Sequence, residues 1–196
     1  MITSLLSGLG ATAPVGLNST LPLLILALAD RFTGLVTLDQ PYNLISSAWG
    51  IIILLLILPI ELIADKIARV DHANDLLHTI IRPPAGALMM MAVTSQDDHI
   101  SPVIGLILGL LVGGTVHWLK TTNRPAVTIA TNGVGNPIVS MAEDVAVIGC
   151  TVVALLFPYG AIVMLPLCGW FVYWTYMKLR SGQVRLGGLM GPSKTA

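Results

Sequence analysis

The chain has 196 residues, of which 55% are hydrophobic and only 10% are charged, and its mean hydropathy is +0.83. A soluble globular domain carries roughly 25% charged residues, so a chain this apolar could not cover its surface with polar groups in water. Lipid is therefore the expected solvent. The ten basic and ten acidic residues cancel, which excludes the basic footprint of a nucleic-acid-binding protein.

Six apolar segments predict an all-α, polytopic membrane helix bundle of about six crossings, because each crossing needs about 20 residues. They cover about residues 14–29, 48–63, 85–93, 103–119, 137–157 and 161–177. Two segments are interrupted or short: the first has polar residues at 18–20, and the third is too short for ~30 Å of hydrocarbon. Short or broken segments of this kind are typical of broken or re-entrant helices in transporters.

The basic residues predict the orientation, because Lys and Arg in short loops remain on the cytoplasmic side. Only Arg31 falls on one side, and the other nine basic residues fall on the opposite side. We expect both termini in the cytoplasm, the acidic loop Ser95–Ser101 outside, and one transmembrane domain over residues 1–180. A flexible cytoplasmic tail follows at 181–196. The start of the chain lacks the basic stretch of a cleavable signal peptide, so we expect it to be retained.

The loop after the second segment contains an amphipathic helix pattern at about 71–82. Asp71 is a good N-cap, and apolar residues then recur at the spacing of one helical face. We expect this helix to lie in the membrane interface, with a new helix beginning at Pro83. The alternative is that the helix only covers the membrane surface.

The loop from Lys120 to Pro137 is rich in Thr, Asn and Gly. Asn136 followed by Pro137 predicts a helix start, whose free amides could bind an anion near Asn132. A plain capped turn is the alternative. The two loops also resemble each other, each pairing a basic residue with a helix that starts at proline. A parallel duplication and a three-plus-three inverted repeat both stay open.

Ionisable residues inside the apolar segments are costly and are candidate functional groups. Three interpretations compete. The carboxylates and histidines carry protons or cations, a divalent metal binds at Asp71, Asp75 and His78, or the basic residues bind a phosphate or lipid headgroup. The alternative is that acids and bases only neutralise each other and lock the bundle. The candidate ion- or substrate-binding residues are Glu61, Asp65, Lys66, His78, Arg82, His117, Lys120, Arg124, Asn132, Asn136, Glu143 and Asp144.

No catalytic motif is present, which favours a non-enzymatic protein. Cys150 and Cys168 lie in apolar runs without metal-type spacing and are interpreted as buried small residues. We expect no resident cofactor, with a metal ion or a phospholipid as alternatives. Membrane lipid is the expected partner, and a homo-oligomer or a membrane complex is open.

Three strings carry a resemblance to a known family: GLNSTLPLL, ELIADKIARVDHANDLLHTIIRPPAGAL and KTTNRPAVTIATNGVGNPIVSMAEDV. They resemble the bacterial membrane family catalogued as domain of unknown function 4126, over about residues 8–180. The resemblance implies a multi-span protein of the bacterial inner membrane and no established activity. The Met-rich AGALMMM departs from the family and is interpreted as core packing.

The leading hypothesis is a small transporter or channel-like protein with a polar site in the cytoplasmic half of the bilayer. An enzyme or flippase acting on a phosphorylated lipid is the second hypothesis. An accessory subunit of a larger membrane complex is the third.

Overall fold

The computed structural model describes residues 1–131, 135–163, 166–167 and 169–170, apart from the side chains of 68–75, 126 and 130–131. Residues 160–163, 166–167 and 169–170 are helical, and the rest of the predicted sixth segment lies outside the described residues. The described part of the chain contains no β-strand, so the all-α prediction is confirmed. The six principal helices are α1 (Ile2–Val15), α2 (Thr20–Leu28), α3 (Ala48–Ala64), α4 (Ala68–Thr94), α5 (Pro102–Thr131) and α6 (Asn136–Leu156).

Three of these helices are long and apolar enough to cross a membrane. The stretches are Leu76–Thr94 in α4, Pro102–Ile129 in α5 and Asn136–Leu156 in α6. Helices α1 and α3 are apolar but shorter, at 14 and 17 residues. Large apolar side chains point outward from the bundle, because Ile60 is 68% exposed and Ile80 is 75% exposed. Apolar surface of this extent is stable against lipid and not against water, which indicates a membrane protein.

The most apolar segments were predicted to within one residue. Helix α3 begins at Ala48, where the Ser47 hydroxyl accepts a hydrogen bond of 3.0 Å from the Gly50 amide and caps the helix. Helix α6 begins at Asn136 with Pro137 next to it, as the sequence predicts, although Gly135 occupies the cap position. The interpretation of the Met-rich string as core is also confirmed, since Met89 and Met90 are fully buried.

Helices α4 and α5 continue through the prolines that were expected to begin or end a helix. Pro83 does not start a new helix, because α4 runs without a break from Ala68 to Thr94. The loop predicted from Lys120 is also wrong, since α5 extends through Pro125 to Thr131. A proline removes one backbone hydrogen bond and crowds the preceding turn. In a membrane helix that loss is offset by packing against neighbouring helices, and among the described helices α4 and α5 form the most extensive contact.

Glycines allow α4 and α5 to approach each other closely. On α5, Gly105, Gly109 and Gly113 repeat every four residues and so share one face. A Cβ atom on Gly109 would lie 2.4 Å from the Cα of Ala87 and 2.5 Å from the carbonyl oxygen of Gly86. The two backbones are therefore in direct contact, as in other membrane helix pairs that cross through small residues.

Helices α1 and α2 form a hairpin that enters the bundle and returns. In α1, Gly8 lies against Thr94 near the end of α4, whereas Gly16 lies against His117 in the second half of α5. Helix α2 runs back beside α3, with Thr20 bonded to Glu61 and with Ala27 packed on Ile51. The predicted first crossing is therefore wrong, because the segment 14–29 contains a break between Val15 and Thr20. At 1.5 Å per residue α1 is only ~21 Å long, too short to cross the hydrocarbon.

This hairpin places the N-terminus beside the loop of residues 95–101. The ammonium of Met1 lies 2.5 Å from Oδ2 of Asp97, and the Ser4 hydroxyl donates to the same oxygen at 2.7 Å. These two hydrogen bonds, with that of the Met1 ammonium the larger effect, lower the pKa of Asp97 to about 2. The prediction that the N-terminus is cytoplasmic while this loop is outside is therefore wrong, since both lie at one end of the bundle.

We expect Thr3→Cys and Asp98→Cys to react with a membrane-impermeant thiol reagent from the same side of the membrane. Both positions are exposed at the end of the bundle that carries residues 95–101. The measurement is labelling of intact cells against inverted vesicles, in a chain whose two native cysteines are replaced by alanine. Labelling of the two positions from opposite sides would contradict the placement of the N-terminus beside the loop of residues 95–101.

Candidate functional site

The tip of the α1–α2 hairpin is the centre of a buried charged cluster. Between the two helices the backbone leaves carbonyl groups at the end of α1 and amide groups at the start of α2 without helical partners. Arg82 donates to the Gly16 carbonyl at 3.2 Å, and Lys120 donates to the Leu17 carbonyl at 2.9 Å. The negative end of one half-helix thus faces two cations, which is the favourable sign for its dipole.

Glu61 supplies the opposite charge at the start of α2. Its carboxylate accepts from the backbone amides of Ser19 at 3.0 Å and Thr20 at 3.1 Å. It also accepts from the Thr20 hydroxyl at 2.6 Å and from the Ser19 hydroxyl at 3.2 Å. Glu61 is 2% exposed, so its charge is stabilised by these donors and by Arg82, whose Nη2 lies 3.3 Å away. The carboxylate occupies the position at which a helix N-terminus would bind an external anion.

Arg82 also connects the hairpin to a histidine on α5. Its Nη1 lies 3.0 Å from Nδ1 of His117, and Nε2 of that ring lies 3.0 Å from the Thr79 hydroxyl. A guanidinium only donates hydrogen bonds, so Nδ1 must accept and the proton of the ring must be on Nε2. His117 is therefore neutral in this arrangement. It keeps Arg82 directed at the end of α1.

A second group of charges surrounds Lys120. Its ammonium lies 2.6 Å from Oδ2 of Asp65 and 3.5 Å from Oε2 of Glu143. Arg124 Nη2 donates to the same Glu143 oxygen at 3.0 Å and lies 3.9 Å from Asp65. The Lys120 side chain is fully buried. Four helices thus meet here, because the end of α1, the turn after α3, α5 and α6 each contribute a polar group.

The edge of the cluster beside Lys66 is the most open part. The Lys66 ammonium lies 3.2 Å from Oδ2 of Asp144, and the Lys66 side chain is 31% exposed. The side chains of Asp144 and Glu143 are 15% and 16% exposed. Asn18 donates to Asp144 at 3.2 Å, while its own oxygen accepts from the first amides of α2. This edge faces the end of the bundle at which α3 joins α4.

The described cluster pairs acidic with basic groups. Four carboxylates meet four Lys and Arg side chains, in addition to His78 and His117. Isolated charges in a low-dielectric interior cost several kcal/mol each, and close opposite charges offset that cost. The members are Glu61, Asp65, Glu143 and Asp144 with Lys66, Arg82, Lys120 and Arg124.

The structure brings ten of the twelve predicted ion- or substrate-binding residues into this cluster. His78 is among them, with Nε2 3.7 Å from Oε1 of Glu61. Asn136 lies apart from it, fully buried and bonded to the Thr128 hydroxyl at 3.0 Å. Asn132 and most of the loop predicted to bind an anion lie outside the described residues. The side chains of Asp71 and Asp75, the predicted metal ligands, also lie outside them. In the part of the chain that is described, no three His, Cys, Asp or Glu residues form a metal-binding group.

The sequence interpretation did not include the hairpin tip among the site residues. Asn18, Ser19 and Thr20 bond directly to the carboxylates of the cluster, and the carbonyls of Gly16 and Leu17 bond to its cations. The sequence did contain a signal for the side chains, because three consecutive polar residues stand just before the apolar stretch of α2. The main-chain carbonyls that bind the cations, however, cannot be recognised from residue types.

A comparison with known protein families assigns the chain to one of them. The family model described as "Domain of unknown function (DUF4126)" matches residues 5–178. The chain belongs to this family. The match covers every member of the charged cluster. Neither the curated proteins nor the solved structures give a match.

Proposed function

We propose that this member of the DUF4126 family is a small transporter or channel-like protein of the bacterial inner membrane. Its polar site is the charged cluster, which lies in the cytoplasmic half of the bilayer and opens to the cytoplasm beside Lys66. The N-terminus and the loop of residues 95–101 then lie outside, and we assign the C-terminus to the cytoplasm from the basic residues near it.

The observation that carries this proposal is the re-entrant hairpin whose two half-helix ends face buried charges. Unpaired backbone groups are very costly in lipid, so broken helices occur in membrane proteins where they line a site or a cavity. Transporters use such half-helix ends to hold ions and substrates. In this chain Arg82 and Lys120 fill the negative end, and Glu61 fills the positive end.

The cost of the cluster also argues for a function. Well-packed apolar residues in place of a buried ion pair are often neutral or even stabilising. A bundle that needed only stability would therefore not require eight buried or half-buried charges in its membrane part. Ionisable groups at this depth commonly mark ion pathways and proton relays.

The carboxylates at the open edge are proposed as the ion- or proton-carrying groups. Glu143 and Asp144 are more exposed than Glu61 and Asp65, which are each 2% exposed. An ion or proton from the cytoplasm therefore reaches Glu143 and Asp144 first. Protonation of either one would release a basic partner, Arg124 or Lys66, and would loosen the hold of the cluster on the hairpin tip.

The test is flux through the protein in liposomes that contain dyes sensitive to pH, Na⁺ or K⁺. We expect flux above that of protein-free liposomes, and we expect Glu143→Gln to lower it by about tenfold, which is ~1.4 kcal/mol on the barrier. The glutamine keeps the size of the side chain but neither its charge nor its ability to take up a proton.

Asp98→Asn is the matched control, because it also replaces a carboxylate by its amide but lies exposed in the loop of residues 95–101. It should leave flux unchanged. Equal flux from the unmodified chain and from Glu143→Gln would remove the assignment of this site. An absence of flux for all tested ions would remove the proposed function.

The lipid-phosphate alternative has no observation of its own in its favour. Arg82 and Arg124, which would bind the phosphate, are engaged by Glu61 and Glu143. A phosphate would first have to displace these carboxylates.

A further inference from the structure

The surroundings of the Lys120 ammonium resemble the oxygen shell of a bound cation. Three oxygens from three different parts of the fold converge on it. They are the Leu17 carbonyl at 2.9 Å, Oδ2 of Asp65 at 2.6 Å and Oε2 of Glu143 at 3.5 Å. Unwound main-chain carbonyls and half-helix ends coordinate small cations in transporter sites, and carboxylate oxygens are common ligands of hard cations. In this chain the cation bound by these oxygens is the ammonium of Lys120 itself.

We propose that the Leu17 carbonyl, Asp65 and Glu143 form a monovalent-cation site that Lys120 fills as a tethered cation. The site is then present in the fold without requiring an external ion. An alkali or small primary ammonium ion would bind there once the ammonium of Lys120 is removed.

Charge balance selects the valence of the ion. The Lys120 ammonium contributes one positive charge to the site, so its removal leaves the surrounding groups short of one positive charge. One monovalent cation restores that charge, whereas a divalent ion would bring one positive charge more than the native site holds. The oxygen donors favour hard cations such as Na⁺ and K⁺. Ammonium and methylammonium reproduce the hydrogen-bond donors of the missing group.

The site also predicts how the native protein depends on the cations in solution. Because the ammonium is covalently attached, the native chain should not need Na⁺ or K⁺ to hold the hairpin tip in place. An alkali ion is then not the species that holds the hairpin tip in place. This statement about the native site rests on the proposed function.

The experiment compares thermal unfolding of the purified full chain and of Lys120→Ala in choline, Na⁺, K⁺, ammonium and methylammonium chloride at equal ionic strength. In the unmodified chain the ammonium already fills the site, so its midpoint temperature should differ among the five salts by much less than that of Lys120→Ala. Lys120→Ala should unfold at a lower temperature in choline. A fitting cation at a hundred times its Kd should raise that temperature by about 5–10 °C.

Two matched variants separate a specific site from a general salt effect. Lys120→Met removes the charge but fills the volume, so it should be destabilised without a response to small cations. Lys66→Ala breaks an ion pair that is open to water, and it too should show no difference among the salts.

Equal midpoints for Lys120→Ala in choline and in every small cation would overturn the inference, because Arg124 would then neutralise Asp65 and Glu143 by itself. If Lys120→Ala is recovered only from membranes prepared with a small cation, the site is supported. If it is recovered from none of the salts, the site is rejected. None of these measurements requires transport, so the inference and the proposed function fail separately.

Discussion

Replacement of Arg82 by leucine is expected to destabilise the protein by about 3–5 kcal/mol, because it leaves buried carboxylates without a principal counter-charge. Arg82 is fully buried and lies 3.3 Å from Glu61 and 3.9 Å from Asp65. It also holds the Gly16 carbonyl at the end of α1. A loss of this size is a large part of the stability of a whole domain. The measurement is denaturant or thermal unfolding of the detergent-solubilised protein, together with the yield of folded protein.

Lys66→Leu is the control for this prediction. It removes a basic partner of the same cluster, but at the partly exposed edge, where an ion pair contributes about 0–1 kcal/mol. The double variant Glu61→Leu/Arg82→Leu removes both charges and should be less destabilised than Arg82→Leu alone. Equal stability of Arg82→Leu and Lys66→Leu would show that the buried network does not hold the hairpin tip.

The sequence predicted the parts of the fold that depend on local composition. Helices α3 and α6 have continuous apolar runs with clear start signals, a serine cap at Ser47 and a proline at position 137. Those signals act within one turn of the chain, so they can be recognised without knowledge of the neighbours. Intramembrane charge is another local signal, and most of the residues that it selected lie together in the structure.

The parts that failed depend on tertiary contacts. Whether α4 continues through Pro83 is decided by its packing along α5, which the residue types near Pro83 do not reveal. The direction of α1 is decided by its contacts with the ends of α4 and α5. A stretch of small and apolar residues is equally compatible with a crossing and with half of a hairpin.

The burial of basic residues also changes how the orientation signal is counted. Four of the nine basic residues placed on the cytoplasmic side belong to the charged cluster and are Lys66, Arg82, Lys120 and Arg124. Charges buried inside the bundle do not report orientation. In the predicted topology five basic residues are then left on the cytoplasmic side against Arg31 on the other, namely Arg69, Lys178, Arg180, Arg185 and Lys194. The direction of the bias is unchanged, but its strength is smaller than the sequence alone suggests.

Gly109→Ala is expected to lower stability by about 1–3 kcal/mol, the range for inserting a methyl group into a packed interior. The new Cβ would lie 2.4 Å from Cα of Ala87 and 2.5 Å from the carbonyl oxygen of Gly86. Both contacts are with backbone atoms, so relief requires α4 and α5 to move apart. The measurement is again equilibrium unfolding in detergent.

Gly149→Ala should change stability in the opposite direction, and it is the matched control. Gly149 is also inside a helix, but a Cβ atom added there would meet no atom of the described residues within 4 Å. Alanine there is expected to stabilise the helix by roughly 0.5–1 kcal/mol, because glycine loses more backbone entropy on folding. A stabilising Gly109→Ala would contradict the close α4–α5 contact.

Gly109→Ala should also affect the charged cluster, because the cluster depends on the distance between α4 and α5. Arg82 lies one turn before Gly86 on α4, and His117 lies one turn after Gly113 on α5. The 3.0 Å hydrogen bond between Arg82 and His117 depends on the distance between these two helices. Separation of the helices by even a fraction of a methyl diameter would weaken it. Gly109→Ala should therefore also reduce flux in liposomes, whereas Gly149→Ala should leave it unchanged.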